Sequence, residues 1–394
     1  MILRQLAATG LLLWGGLAMA QVYWDGGGNN DRWSTKKNWT GNKEPTSSDD
    51  VVFDNSQIGT LPALIELRGN QVAGSLTFDT GDSLALINGN GSRSLDLYSG
   101  QITRTTGSSG AQSLDFSYLD LRADGAFNIG GSGSFTISSV IRENGAGAST
   151  VAKTGAGTLE LSGASTFTSD IAVNAGALRV SADANLGDTA NDVTLSGGTL
   201  GTTGSFTMDS GRTVTVSGSG GIEVASGLTL TLGTAGQLAG SGTLTKTGAG
   251  TLALTALPTF TDTFILNAGT LRLSDFSLSL ADLQITGNST IDFAGVSSLN
   301  VTNFSIAAGV TLTIANWIDA SDYFIAQNWS GGSFNLRGAA PMNQVVFSGA
   351  SASDTVWQSY DKQVTPVPEP STYGALLLLV GGGILALRRR LRAA

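Results

Sequence analysis

The sequence contains an internal repeat whose two copies lie 93 residues apart. Residues 153–180 align with residues 246–273 without a gap, and 16 of the 28 aligned positions are identical. Both copies begin with Lys-Thr-Gly-Ala-Gly-Thr-Leu and end with Asn-Ala-Gly, one variable residue and Leu-Arg. A repeat of this kind is a supersecondary unit that must stack on its neighbours, because one unit alone cannot bury its apolar face.

The pattern within each copy is typical of short β-strands joined by glycine turns. Gly155 and Gly157 permit a positive φ, and Thr158–Leu161 then places its two leucines on one face. A second apolar run at 171–173 meets Asn-Ala-Gly at 174–176, and Asn and Gly tolerate left-handed turn geometry. We therefore expect two strands and two corners in each copy, as in the coils of a solenoid.

Similar short apolar runs, bounded by Gly or Ser, occur in the rest of the sequence, and no long segment before the tail shows helical spacing. Glycine supplies 54 of the 394 residues, and 41% of the residues are hydrophobic. The sequence thus predicts an all-β protein of stacked coils around one continuous apolar column. The clearest runs are 193–195, 214–216, 228–232 and 310–314.

The two copies closely resemble the autotransporter-associated β-strand repeat, which is found in the passenger regions of secreted bacterial proteins. The resemblance rests on residues 153–180 and 246–273 and implies a right-handed parallel β-helix, that is, a β-solenoid. Autotransporters close with a membrane barrel, whereas this sequence ends in a single apolar run, so we do not expect the chain to translocate itself.

The first 20 residues have the order of a secretory signal peptide. Arg4 precedes an apolar stretch at 6–17, which we expect to be helical, and the small residues Ala18 and Ala20 follow. The sequence predicts cleavage by signal peptidase after Ala20 and export from the cytoplasm. A buried N-terminal helix is the alternative.

The C-terminal sequence has three parts, which are a motif, an apolar run and a basic cluster. A helix over the apolar run at 371–387 would be about 25 Å long, a little short of a hydrocarbon core of about 30 Å unless the arginines snorkel. Because such arginines stay cytoplasmic, the body of the chain would lie outside. The motif is Pro368, Glu369 and Pro370, and the basic cluster contains Arg388, Arg389, Arg390 and Arg392.

This tail looks like a PEP-CTERM sorting signal, which an exosortase, a membrane cysteine protease of Gram-negative bacteria, recognises. The resemblance implies a membrane-anchored intermediate with one transmembrane helix, and then a place at the cell surface or in the extracellular matrix. Such systems tend to accompany exopolysaccharide production, so a biofilm role and an exopolysaccharide partner are also implied. An ordinary C-terminal anchor, with Pro368–Pro370 as a stiff linker, is the alternative.

Tryptophan placement indicates domain boundaries, because all six tryptophans beyond the signal peptide lie before residue 40 or after residue 316. A solenoid exposes its apolar column at both ends, so we expect these indoles to build two caps. Exposed indoles that stack on sugar rings are the alternative. The predicted units are a signal peptide at 1–20, a Trp-rich cap at 21–60, a solenoid at 61–315, a cap and linker at 316–365, and the sorting signal at 366–394.

Composition excludes several kinds of chemistry. Cysteine and histidine are both absent, which removes thiolate sites, the Ser-His-Asp triad and histidine metal ligands. The net charge is −9; without Arg4, Glu369 and the four C-terminal arginines, Lys and Arg fall from 21 to 16 and Asp and Glu from 30 to 29, which leaves −13. An acidic body repels phosphate backbones, so we expect no nucleic-acid binding.

Acidic residues give no clear site. Two groups could offer calcium ligands, but neither has the spacing of an EF-hand or of a Gly-Gly-x-Gly-x-Asp repeat, so no metal and no cofactor is predicted. Glu160 is replaced by Ala253 in the second copy, which suggests a solvent-facing position. The groups are Asp49 with Asp50, and Asp25 with Asn29, Asn30 and Asp31.

We therefore predict a non-enzymatic structural or adhesive surface protein with no catalytic residue. Parallel β-helices also include lyases and glycoside hydrolases, which work with Asp and with Arg or Lys, so the absence of histidine leaves that alternative open.

Overall fold

Alternating apolar and polar residues form strands along the whole body of the chain in a computed structural model, which describes residues 20–144 and 150–367. In those residues 32 strands and five short 3₁₀ helices form, and no α-helix is present. The predicted all-β class is confirmed, and its form is a parallel β-solenoid of about 12 coils.

The strands are numbered β1 to β32 in chain order. The first sixteen are Ala20–Tyr23, Asp49–Asp54, Leu64–Leu67, Gln71–Asp79, Leu84–Asn88, Ser94–Arg104, Gln112–Asp115, Tyr118–Leu121, Gly125–Ile129, Ser134–Ile137, Val140–Glu143, Thr150–Thr154, Thr158–Leu161, Asp170–Val173, Ala177–Val180 and Val193–Leu195. The second sixteen are Thr199–Thr202, Phe206–Thr207, Val214–Val224, Thr229–Leu232, Leu238–Thr247, Thr251–Leu254, Thr263–Leu266, Gly269–Ser274, Ser277–Ile285, Ser289–Ala294, Ser298–Ile306, Leu312–Ala315, Tyr323–Trp329, Val345–Phe347, Thr355–Trp357 and Val364–Pro366. The 3₁₀ helices are Lys36–Asn38, Thr40–Asn42, Asp183–Leu186, Met342–Gln344 and Ala352–Asp354.

The strands of the solenoid lie on three sides, and from β1 to β30 every pairing is parallel and joins strands of successive coils. Side 1 begins with β1, β2 and β4 and continues through β9, β12, β14 and β16. Side 2 runs from β3 and β5 through β13, β15 and β17 to β29. Side 3 is formed first by β4, β6, β8 and β11 and later by the even-numbered strands from β18 to β30.

Parallel register places inward side chains of successive coils directly over one another. On side 1 the column runs from Leu76 to Ile102, Phe127, Lys153 and Val173, and all five side chains are buried. Full burial of one such apolar side chain contributes roughly 1.5–3 kcal/mol, so the columns supply the main driving force for folding. The buried lysine in this column is discussed below.

Aromatic side chains cover the first coil. Trp24, Trp33 and Trp39 are buried, and Trp39 lies 5.0 Å from the ring of Trp24 and 4.9 Å from that of Trp33. The backbone N–H of Trp24 donates to the carbonyl of Val52, and that of Trp33 donates to the carbonyl of Glu66. The segment before β2 therefore pairs with edges of the first coil that would otherwise be free.

The last coil ends differently, because the backbone direction reverses. β31 and β32 pair antiparallel, and Gln363 forms an antiparallel bridge with Ile325 of β29. The indole Nε1 of Trp357 donates to the carbonyl of Ala326 at 2.9 Å, and Trp329 is also buried. Parallel stacking cannot continue past this hairpin in the same register.

The signal helix expected at 1–20 lies outside the described residues except for Ala20, which is the exposed first residue of β1. The apolar run expected to span the membrane at 371–387 lies outside them as well. No helix within residues 20–144 and 150–367 is long and apolar enough to cross a membrane.

The corner glycine of the repeat gives a stability prediction. Gly176 has a φ of +64°, and a Cβ there would lie 2.4 Å from the carbonyl oxygen of Gly157. Gly227 has a φ of +76° with nothing within 4 Å, so it is a matched control for backbone strain alone. In urea unfolding, Gly227→Ala should cost about 1 kcal/mol and Gly176→Ala roughly 3 kcal/mol or more. Equal losses would show that the corners are not tightly stacked.

Candidate functional site

Each copy of the repeat buries one lysine in the apolar interior. Lys153 lies on β12 and is 1% exposed. Its Nζ donates to the carbonyls of Thr154 and Gly155 at 2.8 and 2.7 Å, and to the carbonyl of Ala175, in the next coil, at 3.1 Å. An ammonium group has three donors, so each N–H has one acceptor.

The second copy repeats this arrangement with the same distances. Lys246 lies on β21, is 0% exposed, and donates to Thr247, Gly248 and Ala268 at 2.8, 2.7 and 3.1 Å. We call each set of one lysine and three carbonyls a lysine clamp. Because two of the carbonyls belong to one coil and the third to the next, each clamp joins two coils.

The two clamps lie on different sides of the solenoid. Lys153 is in register with Phe127 and Val173 on side 1. Lys246 is in register with Ile222 and Leu266 on side 2. The 93-residue offset is therefore not a whole number of coils, and the clamp is formed by the local repeat sequence wherever it falls.

Burial dominates the electrostatics of the clamps. Carbonyl oxygens are the only hydrogen-bond acceptors of both ammonium groups in the described part of the chain. Loss of hydration lowers the pKa of Lys153 and of Lys246 from 10.5 to about 8. At neutral pH both are mainly protonated, which is the form that offers three donors.

The arginines at the ends of the repeat lie outside the core and pair with carboxylates of later coils. Arg179 reaches over Gly201 to Glu223, two coils further on, with its Nη2 at 3.0 Å from the carboxylate. Arg272 donates from Nε to Asp292 at 2.7 Å. The solvent-facing position expected from the exchange of Glu160 for Ala253 is wrong in the second copy, where Ala253 is 4% exposed.

Side 3 carries a group of charged and aromatic side chains that local sequence patterns do not reveal. Asp96, Asp120 and Arg142 are stacked in register on β6, β8 and β11. Arg142 donates to the two oxygens of Asp120 at 2.7 and 2.8 Å and lies 3.6 Å from the ring centre of Tyr118. We name the full group the tyrosine–arginine cluster, and its members are Asp96, Tyr98, Tyr118, Asp120, Arg122 and Arg142.

The second arginine of the cluster is held in a similar way. Arg122 donates from Nε to Asp96 at 3.1 Å, pairs with the same carboxylate through Nη2, and donates from Nη1 to the carbonyl of Asn144. Its guanidinium lies 5.7 Å from the ring centre of Tyr98. Hydrogen bonds to Asp96 and Asp120 raise the pKa of Arg122 and Arg142, so both stay charged.

The acidic groups considered for calcium instead support local turns and strands. Asp49 accepts from the N–H and hydroxyl of Thr46, and Asp50 accepts from the hydroxyl of Ser75. Asp25 accepts from the N–H of Gly27. Within residues 20–144 and 150–367, no group of three or more acidic side chains is placed to hold a metal ion.

Most of the site residues predicted from the two termini fall outside the described residues. These are Ala18, the motif Pro368, Glu369 and Pro370, and the arginines Arg388, Arg389, Arg390 and Arg392. Ala20 alone is described, and in β1 it pairs in register with Asp49.

Comparison with known proteins supports the repeat. The family model for the passenger-associated-transport-repeat matches residues 151–180 and 244–273, which include both clamps. A segment of 74 residues, 19% of this chain, is 42% identical to the adhesin BmaC autotransporter of Brucella suis biovar 1 (strain 1330). The match spans 2% of that protein's length. No solved structure matches the chain.

The clamps predict how stability depends on pH. The unfolded chain holds more protons than the folded chain between pH 8 and 10.5, because the folded-state pKa of both lysines is lowered to about 8. The free energy of unfolding should therefore rise as the pH is raised from 8 to 10.5, by at most roughly 3 kcal/mol for each lysine.

Urea unfolding of Lys153→Met/Lys246→Met across this range tests that dependence. The double variant should lose most of the rise and, at pH 7, be destabilised by its unpaired carbonyls, each worth about 1–3 kcal/mol. Lys37→Met removes an exposed lysine and should keep the wild-type pH profile. A wild-type profile in the double variant would contradict the clamp.

Proposed function

We propose that the chain is an exported, non-enzymatic surface protein whose solenoid acts as a spacer and an adhesive surface. The observation that carries this proposal is the stack of parallel coils, which includes two repeats similar to those of autotransporter passengers. The local similarity to a protein named as an adhesin supports it. About 12 coils spaced by about 4.8 Å would hold the two ends roughly 58 Å apart.

The charged groups support a structural role over an enzymatic one. In the tyrosine–arginine cluster both carboxylates are paired with guanidinium groups, so neither is a free base. The buried lysines are enclosed by carbonyls and do not meet a substrate. A polysaccharide lyase or glycoside hydrolase is the alternative function, and turnover of a polysaccharide that one Asp substitution abolishes would establish it.

The aromatic ends fit the role of caps in this proposal. Trp24, Trp33 and Trp39 cover the first coil, while Trp329 and Trp357 lie at the last. Burial of these indoles favours capping over sugar stacking. With the ends covered, copies of the chain would not join end to end through open strand edges.

The two termini supply the proposed route by which the chain is exported and sorted. Signal peptidase would cut after Ala20, and an exosortase would process the chain at the tail that contains Pro368–Pro370. The product would reside at the cell surface or in the extracellular matrix of a Gram-negative bacterium, associated with exopolysaccharide. The intermediate would be held by the apolar run at 371–387, with the terminal arginines on the cytoplasmic side.

Substitution of the sorting motif tests this route. In a host that carries an exosortase, Glu369→Ala should keep the chain at its larger, unprocessed size and in the membrane fraction, because the enzyme's recognition motif is lost. Glu44→Ala changes a glutamate far from the tail in sequence, so it is the control and should be processed normally. Immunoblots of cell fractions give both size and location. Normal processing of Glu369→Ala would show that the tail is an ordinary anchor and not a sorting signal.

A further inference from the structure

The tyrosine–arginine cluster borders a depression on side 3. The depression has a volume of about 260 Å³, and its lining includes Asn70, Gln71, Ser94, Arg122, Arg142 and Asn144. That volume is below the roughly 300–1,000 Å³ of sites that enclose a drug-sized ligand. It suits a few sugar hydroxyls and one ring face better than a whole enclosed molecule.

Hydrogen-bonding groups in the depression remain available. Arg142 uses Nε and Nη2 on Asp120, and its Nη1 makes no hydrogen bond within the described residues. Asn70 accepts from the N–H of Ser94, but its side-chain nitrogen has no partner in the same part of the chain. Gln71 is only 6% exposed and is in register with the buried Leu95, so its side chain is turned toward the interior.

The positions of these groups are fixed before any ligand arrives. Asp120 holds Arg142 through two hydrogen bonds, and Asp96 holds Arg122. Strand pairing fixes the spacing between them at one coil. Rigid donors lose little entropy on binding, which favours recognition of weakly bound hydroxyl groups.

An exposed aromatic face lies at the Arg122 end of the cluster. Tyr98 is 45% exposed, and Arg122 approaches its ring only to 5.7 Å. Tyr118 differs because Arg142 covers its ring at 3.6 Å. Tyr98 is therefore the aromatic side chain of the cluster that can stack on a ligand, with its hydroxyl left in water.

We propose that the tyrosine–arginine cluster binds a neutral polysaccharide, with one sugar ring on Tyr98 and hydroxyls of the adjoining sugars on Arg142 and Asn70. The inference rests on the proposed surface function and names the ligand class and the site. Neutral sugars are favoured over acidic ones because the two guanidinium and two carboxylate groups cancel. The acidic body, with a net charge of −13, would also repel a polyanion.

Affinity gel electrophoresis of the full chain tests the site. Gels contain neutral polysaccharides (dextran, galactomannan or barley β-glucan) or acidic alginate. We expect at least one neutral polysaccharide to retard the wild-type chain, with little change between low and high salt. Tyr98→Ala should weaken that binding about tenfold, the loss of about 1.4 kcal/mol expected for one stacked ring.

Two further variants make the test specific. Tyr360→Ala removes a tyrosine that is 81% exposed and lies outside the cluster, so it should bind as wild type does. Asn70→Ala should weaken binding without removing an aromatic side chain. Equal binding by wild type and Tyr98→Ala, retardation only by alginate and only at low salt, or no retardation by any neutral polysaccharide would each overturn the site. A chain that is processed at Glu369 yet binds no neutral polysaccharide would leave the surface function standing.

Discussion

A buried ammonium group that holds three backbone carbonyls is the interaction on which the repeat depends. Strand amides and carbonyls find partners in the next coil, but carbonyls at corners do not lie in the ladder and would be left unpaired in the interior. Lys153 and Lys246 each donate to three carbonyls, which lie at a corner or at the strand end beside it. Desolvation of the ammonium is costly, yet the three acceptors offset part of that cost and fix two coils together.

Glycine corners allow successive coils to stack closely. Gly176 and Gly269 lie against the turns of the preceding coil. A Cβ on either residue would lie 2.4 Å from a carbonyl oxygen, so a side chain has no room. The buried side chains, mostly apolar, fill the interior between the corners, and polar residues occupy the outward faces of the strands. Arginine and carboxylate pairs then occupy those faces in register, and on side 3 they form the tyrosine–arginine cluster.

The sequence supports the solenoid because strand alternation and glycine corners are local signals. Burial of the clamp lysine could also be predicted from the sequence, since alternation places Lys153 on the same face as Val151, in the interior. The tyrosine–arginine cluster could not be predicted in this way, because Asp96 and Asp120 meet only through the register between coils, and coil length varies along the chain. For Ala253, the exchange with Glu160 was misleading, because Ala253 lies in register between Thr231 and Arg272 of the neighbouring coils and is only 4% exposed.

Hydrogen exchange read at single residues, on the wild type and on Lys153→Met, tests the clamp most directly. The N–H of Ala177 donates to Gly157, and in the second copy that of Thr270 donates to Gly250. The account predicts that Lys153→Met speeds exchange at Gly157 and Ala177 while Gly250 and Thr270 keep their wild-type rates. Unchanged exchange at the first corner, or equal loss of protection at both, would contradict it.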